Sequence, residues 1–330
     1  MNSAIKVSIV IPTKNPGTIL RRVIASLLAQ ETKFCYDILV IDSGSTDGTI
    51  DYINSVKSER LRLHTILPAE FGHGRTRNLA ISLTTGEYIA MITHDACPVM
   101  PDWLDSLVQL ADSDQRIAGV FGRHIAYPDA SIFTKHELEL HFSGFDEFPI
   151  VFLSDPKRYE VDVAYRQFLH FFSDNNALIR RQVWECIPYP DVSFAEDQLW
   201  AKKIIEAGWF KAYSAHAVVF HSHNYSFVER LQRSFDESYA FFRLFGYRLC
   251  PDLVSMIKSW AGMTIRDLRF TKATKLWRQA PFAVVIAAID NLMRVFGHYL
   301  GTRGDKLPPR FHKKLSRDHR VLRGWLKIKK

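Results

Sequence analysis

Apolar and polar positions alternate along the first two thirds of the chain in a repeating order: a β-branched run, a polar cluster, then an apolar stripe at helical spacing. Residues 7–11 (Val-Ser-Ile-Val-Ile) read as a buried strand, closed by Pro12 and the Asn15-Pro16-Gly17 cluster. Ile19, Leu20, Val23, Ile24, Leu27 and Leu28 then recur at the spacing of one helix face. A second run, 38–41, ends at Asp42-Ser43-Gly44-Ser45, and Asp47-Gly48-Thr49 opens a helix carrying Ile50, Ile53 and Val56. A third strand is predicted over 61–67, a helix over 74–84 stopped by Gly86, and a fourth strand over 88–92, followed by His94-Asp95-Ala96-Cys97-Pro98. Three strand–helix repeats argue for a doubly wound parallel sheet whose ligand sits at the carboxyl ends of the strands. Pro12-Thr13, Asp42-Ser43 and His94-Asp95 then share one edge.

The pattern loosens from about residue 115 to 185. The stretch 127–165 is polar and aromatic, and it reads as a long lid or binding loop. A helix is predicted over 197–207 and a strand over 212–220, ending at His221-Ser222-His223. From 226 the chain is mostly helical. The apolar-rich run 281–300 contains Asp290 and Arg294, which suits an interfacial or buried helix better than a membrane span.

Composition narrows the class. In 330 residues, 47% hydrophobic, a sizeable core is expected and wholesale disorder is excluded. Cys35, Cys97, Cys186 and Cys250 are too scattered for a zinc pair or a disulfide framework, and the N-terminus has no signal-peptide pattern, so a cytosolic chain is expected. The net charge of +8 is uneven: residues 303–330 carry +9 and the rest is near neutral. Such a tail suits an anionic membrane surface, nucleic acid or a solvated arm, and the membrane surface is the reading preferred here.

Candidate chemistry gathers at the strand ends. Asp42 can accept hydrogen bonds from a base or ribose, or it can close a turn. Gly72-His73-Gly74-Arg75-Thr76-Arg77 lacks the third glycine of a dinucleotide fingerprint and follows the third strand, which excludes a dehydrogenase. Arg75 and Arg77 at a helix start can contact a diphosphate, or simply be solvated. Asp95 can hold a divalent cation that bridges two phosphates, or cap a helix. Glu196-Asp197 can cap the next helix or supply a general base. His221 and His223, two apart in an extended segment, face the same way and can reach one metal or diphosphate.

In order and spacing these motifs resemble the family 2 glycosyltransferases. The matching segments are Val-Ser-Ile-Val-Ile-Pro-Thr at 7–13, Val-Ile-Asp-Ser-Gly-Ser-Thr-Asp-Gly-Thr at 40–49, Arg77-Asn78 ahead of 86–90, His94-Asp95-Ala96, Glu196-Asp197 and His221. Thr93-His94-Asp95-Ala96, Glu196-Asp197-Gln198-Leu199-Trp200-Ala201 and His221-Ser222-His223-Asn224-Tyr225-Ser226 are similar to bacterial rhamnosyltransferases of that family.

The resemblance implies an α/β fold of GT-A type, with a Rossmann-like mixed sheet flanked by helices over 1–225. A mostly helical C-terminal region with the basic tail would follow over 226–330, for membrane or acceptor docking. It implies that Pro12, Thr13, Asp42 and Ser43 hold the donor nucleoside. Arg75, Arg77 and His94 would lie near the diphosphate, and Asp95, with His221 and His223, would hold Mg²⁺ or Mn²⁺. Asp197, beside Glu196, would be the catalytic base. Thr93 stands where the family's Asp-x-Asp motif has its first acid, which bears on metal binding and not on the position of Asp95.

The activity so implied is inverting transfer of a sugar, L-rhamnose from dTDP-β-L-rhamnose, to a polysaccharide or lipid-linked oligosaccharide of the O-antigen or capsule type. The site would be cytoplasmic, at the inner face of the plasma membrane and peripherally bound to it, with no nucleic-acid partner. The alternatives are a hexosyl- or N-acetylhexosaminyltransferase using a UDP-sugar, and a non-catalytic sugar-binding protein. A nucleotidyltransferase is disfavoured, because Pro12-Thr13-Lys14-Asn15 occupies the place of its glycine- and arginine-rich loop.

Overall fold

The computed structural model describes residues 4–318, which fall into two compact units, 4–222 and 223–318. The first unit is built on one sheet of β1 (Ile5–Thr13), β2 (Cys35–Asp42), β3 (Leu61–Thr65), β4 (Tyr88–Ile92), β5 (Cys97–Pro98), β6 (Ile117–Ile125), β7 (Ile150–Val151), β8 (Asn176–Arg180) and β9 (Phe210–Phe220). Its order is β3-β2-β1-β4-β8-β6-β9-β5, and β7 pairs with β9. The helices are α1 (Ile19–Leu28), α2 (Thr49–Ser55), α3 (His73–Ser82), α4 (Trp103–Asp112), α5 (Ile132–Ser143), α6 (Pro156–Val161), α7 (Val163–His170), α8 (Arg181–Cys186) and α9 (Glu196–Glu206).

Strand side chains alternate between faces, and here both faces are covered, so the central strands are apolar at nearly every position. Val7, Ile9 and Ile11 of β1 join Val23 and Leu27 of α1 and Trp103 and Leu107 of α4 in one core layer. Val10 packs the other way, with Leu39, Ile41, Ala80 and Ile81 and with Trp200 and Ile204 of α9.

The sheet is mixed, as the family resemblance implies, and not parallel throughout as the strand–helix repeats alone suggest. β3, β2, β1 and β4 are parallel, but β8 runs antiparallel to both β4 and β6. Residues 127–165 likewise are not one long loop. They hold α5, α6 and the start of α7, whose N-termini are capped by the side chains of Ser131, Asp155 and Asp162. Their aromatic residues pack on the sheet, with Phe145 edge-on to Phe121 and stacked on Phe168.

The second unit is helical: α10 (Phe227–Phe245), α11 (Leu253–Ala273), α12 (Ala283–Gly301) and α13 (Pro309–Leu315). A capping box between Ser226 and Glu229 opens α10, and Gly246 in the left-handed conformation closes it. α12 lies close on α10: a Cβ at Gly297 would come within 2.4 Å of the Leu231 carbonyl oxygen. Asn291 donates to Asp267 Oδ2 at 2.7 Å, and Trp260 Nε1 donates to the Ala288 carbonyl at 2.9 Å, tying α11 to α12. By length and composition α12 is apolar enough to cross a membrane, yet one side of it is committed to this packing. Phe282, Val285, Ile289, Leu292 and Phe296 recur at spacings of three or four; all are exposed except Leu292, which is half-buried. Arg320 and Arg323 of the tail lie outside the described residues.

Candidate functional site

Strands from across the sheet meet at one of its edges. β1, β2 and β4 are parallel and finish there. β8 is antiparallel and starts there, with Asn176 opposite Ile92 of β4. β6, antiparallel to β8, ends at the same edge, and β9 runs parallel to β6. Asn176 locks the seam, donating to the Arg123 and Ala217 carbonyls and accepting from Trp103 Nε1 at 2.7 Å. Gly122 permits it, since a Cβ there would lie 2.2 Å from the Ala217 carbonyl oxygen.

At the β1 and β2 tips the turns are laced together. Ser43 donates its amide to the Thr13 carbonyl at 3.0 Å, and its hydroxyl reaches the same oxygen at 3.2 Å. Asn15 accepts from the Thr46 amide, and Asp47 accepts from the Gly17 amide. Asp42 closes its turn, taking the amides of Gly44 and Ser45 on Oδ1 at 2.9 and 2.8 Å. Its Oδ2 is buried with no hydrogen-bond partner among the described residues. One oxygen makes the turn, and the other keeps the capacity to accept a further hydrogen bond. Pro12 is half-buried beside Thr13.

Asp95 and His221 come from strand ends far apart in sequence. The two-residue β5 pairs antiparallel with Val219 and Phe220, which draws the loop after β4 onto the end of β9. Asp95 Oδ1 then lies 3.7 Å from His221 Nε2, both side chains partly exposed. The Tyr127 hydroxyl donates to the Asp95 carbonyl at 3.0 Å and steadies the loop. α4 begins well beyond Asp95, so the carboxylate does not cap it. The His221 ring stands edge-on to His124 at 5.2 Å. Burial, and then the His221 imidazole, push the His124 proton affinity well below the ordinary histidine value. His124 Nε2 and the Thr93 hydroxyl are buried without hydrogen-bond partners among the described residues. A carboxylate oxygen, an imidazole nitrogen and nearby unsatisfied polar atoms fit a divalent cation with water and phosphate oxygens in its remaining positions. His94 is half-buried beside Asp95; His223 opens the second unit, its ring stacked on Tyr225.

The acidic pair sits in a buried ionic network. Ala195, in the left-handed region at φ 54°, turns the chain into α9, and Glu196 and Asp197 form its first turn. There the helix dipole favours negative charge. Arg77 of α3 is ion-paired through Nη1 to Glu196 Oε1 and through Nε to Asp174 Oδ2 at 2.9 Å. Burial works against the Arg77 charge, but Glu196 and Asp174 more than offset it and hold its proton tightly. The Tyr189 hydroxyl donates to Asp174 Oδ1 at 2.8 Å. The Asp174 amide donates to Asp197 Oδ2 at 3.3 Å. Burial, then the charges of Glu196 and Asp174, raise the Asp197 carboxyl well above the usual carboxylate range. Because Asp174 stands two residues before the strand position opposite Ile92, this network belongs to the same edge as Asp95.

The arginines depart from expectation. Arg77 does not stand open to a diphosphate; its side chain is 7% exposed, and a buried guanidinium requires the counterions it has found. Arg75, two residues earlier, points to another side of the helix and makes an exposed 3.3 Å ion pair with Asp191. The sequence pattern alone does not mark Asp174 and Tyr189. Their only local signal is the polar Ser173-Asp174-Asn175-Asn176 cluster ahead of a short apolar run, which reads equally as a turn. A surface hollow of ≈ 590 Å³ lined by Ile5, Lys6, Phe34, Cys35 and Glu87 lies at the opposite ends of β1, β2 and β4, away from these groups.

Residues 8–187 match the family described as Glycosyl transferase family 2. Over 92% of its length the chain is 30% identical to the O-antigen chain rhamnosyltransferase RfbN of Salmonella typhimurium, covering 91% of that protein. It is 28% identical to the O-antigen chain rhamnosyltransferase WbaN of Salmonella anatum, over 91% of this chain and 90% of that one. Its fold is similar to that of a mannosyltransferase, PcManGT from Pyrobaculum calidifontis, solved in complex with GDP-Man and Mn²⁺. The TM-score is 0.59 and the identity 16%, over 93% of this chain and 89% of that one. The fold is of GT-A type, a mixed sheet between helices followed by C-terminal helices.

Proposed function

Starting from the fact that this chain belongs to glycosyl transferase family 2 and is a glycosyltransferase, we propose that it moves L-rhamnose from dTDP-β-L-rhamnose, with inversion, onto a glycan acceptor of O-antigen type. The observation that carries the reading is the Asp197 carboxyl, of raised proton affinity, at the same sheet edge as the Asp95–His221 pair. In a single displacement an acceptor hydroxyl gives its proton to Asp197 while its oxygen bonds to the anomeric carbon. The bond from that carbon to the diphosphate breaks, and its electron pair leaves with the nucleotide. Attack from the opposite face turns the β-linked donor into an α-glycoside.

Thr13, Asp42 and Ser43, with Pro12 beside them, hold the nucleoside, the unpaired Asp42 Oδ2 accepting from it. Asp95 and His221, with His223 two residues on in the sequence, would hold Mg²⁺ or Mn²⁺, which would supply charge stabilisation for the leaving diphosphate. Arg77 serves the site by fixing Glu196 and Asp174. The relatives named for O-antigen rhamnosyl transfer support the donor and the acceptor class.

Incubation with dTDP-rhamnose, UDP-glucose, UDP-galactose or UDP-GlcNAc plus Mg²⁺ or Mn²⁺ tests the donor. dTDP-rhamnose is expected to raise the melting temperature most, by the equivalent of about 2.7 kcal/mol at a hundredfold excess over Kd, and to release dTDP when acceptor is present. Larger stabilisation by a UDP-sugar would replace rhamnose with a hexosyl or N-acetylhexosaminyl donor. Binding without nucleotide release in the presence of a given glycan would remove that glycan as the acceptor.

The second unit is proposed to dock on the anionic inner face of the plasma membrane. Phe282 is 74% exposed and Trp277 53% exposed, and Lys272, Lys275 and Arg278 are exposed near them in sequence. Each such cation near an anionic surface contributes about 1 kcal/mol. The protein is expected to sediment with vesicles containing phosphatidylglycerol and not with phosphatidylcholine alone. Phe282→Ser with Val285→Ser and Ile289→Ser should lower that binding at least about tenfold, given the apolar area lost. Equal binding to both vesicle types, untouched by the triple variant, would remove the membrane from the account.

A further inference from the structure

The network behind the acidic pair is more elaborate than a salt bridge requires. Three carboxylates, Asp174, Glu196 and Asp197, surround one guanidinium, that of Arg77. A pair would satisfy Arg77; the third acid leaves the cluster with excess negative charge in a place shielded from water. Asp174 is 1% exposed, so its charge is kept against the cost of burial, and Arg77 is its counterion. Tyr189 is fully engaged on Asp174, its ring stacked on Trp200 at 5.6 Å and its hydroxyl on the carboxylate. These two side chains do not reach for solvent. Their effect is directed at Asp197, whose Oδ2 accepts the amide of Asp174 itself.

We infer that Asp174 and Tyr189 are positioning residues for the Asp197 carboxylate: the Asp174 main chain fixes its orientation, and the Asp174 charge, held in place by Tyr189 and Arg77, tunes its proton affinity. This rests on the reading of Asp197 as the base that takes the acceptor proton. The logic is that of neighbouring acids in a dry site. An ionised Asp174 repels the negative charge on Asp197, so Asp197 binds a proton more strongly and becomes a better base. Burial, partly countered by Arg77, raises the Asp174 carboxyl to about 6, so it is ionised where the reaction runs near neutral pH. The Tyr189 hydrogen bond favours that ionised form. Without the Asp174 charge Arg77 is freed to draw negative charge onto the remaining acids, which weakens the base further.

The test compares Asp174→Asn, Tyr189→Phe and Asp197→Asn in the full chain, reading kcat, donor KM, the pH–rate profile and thermal melting. Asp174→Asn keeps the backbone amide and the shape but removes the charge. It is expected to lower kcat about tenfold or more, leave donor KM near the parent value, and move the acid limb of the profile down by about one pH unit. Tyr189→Phe, which keeps the stacked ring, should lower kcat and move the limb the same way by less. A purely structural role would lower the melting temperature and the active fraction and leave the limb where it was. An inactive Asp197→Asn with an unmoved limb in both other variants overturns this inference alone. Near-normal turnover in Asp197→Asn overturns the base assignment, and the tuning of that base with it.

Discussion

Asp197→Asn is expected to lower kcat by a factor on the order of 10²–10⁴, with donor binding little changed, because an amide cannot take the acceptor proton. The same substitution should leave the fold as stable as before at neutral pH, or more so. The reason lies in the sign of the linkage. The Asp197 carboxyl is raised well above its ordinary value in the folded chain, by burial first and then by Glu196 and Asp174. Between the ordinary carboxylate range and that raised value the folded chain binds more protons than the unfolded one, so stability falls as pH rises through this window. Wherever Asp197 is ionised it therefore costs the fold stability, and asparagine removes that cost. Activity lost without a fall in melting temperature is what a group kept for chemistry produces. If the variant turned over within a few-fold of the parent, the proton would have to go elsewhere, and the inverting mechanism through Asp197 would fail.

The parts of the molecule legible in the sequence are those whose environment is uniform. β1, β2 and β4 are buried on both faces, so Val7, Ile9, Val10 and Ile11, or Ile89, Ala90 and Met91, advertise a strand without any tertiary knowledge. The residues at their ends, Asp42 and Asp95, are visible for the same reason: polar groups following an apolar run. β6 and β8 are equally buried but carry groups satisfied only by distant partners. Asn176 is fully buried because Arg123, Ala217 and Trp103 surround its amide. Arg180 is buried because it donates to the Ile117 and Ala111 carbonyls and lies over the Tyr88 ring. Local pattern marks both as surface residues and so erases a strand. Arg77 misleads similarly: at a helix start it suggests an anion, while the anions it meets are side chains from residues 174 and 196. Asp174 is hidden for the complementary reason, since a buried acid in a polar cluster looks like a turn until the guanidinium opposite it is seen.

Asp95→Ala is expected to abolish the part of donor binding that depends on a divalent cation. Thr93 supplies no carboxylate, so Asp95 stands as the acid of this strand end, with His221 Nε2 3.7 Å from its Oδ1. Metal affinity then rests on one oxygen donor of full charge, and its loss leaves neutral imidazole to hold the ion alone. Calorimetric titration of dTDP-rhamnose with and without metal should show a parent affinity that rises at least about tenfold when metal is added, and a variant affinity that does not respond. His221→Ala should fall between the two, since it removes a ligand and not the charge. The mixed donor set also predicts which ion serves better. Mg²⁺ asks for oxygen ligands in near-ideal octahedral geometry, whereas Mn²⁺ accepts imidazole nitrogen more readily, so half-maximal activity should need less Mn²⁺ than Mg²⁺. An Asp95→Ala variant whose donor titration still sharpened with metal would detach Asp95 from the cation. The leaving diphosphate would then have to be neutralised by side chains alone, and Arg77, shut in between two carboxylates, is not free to do it.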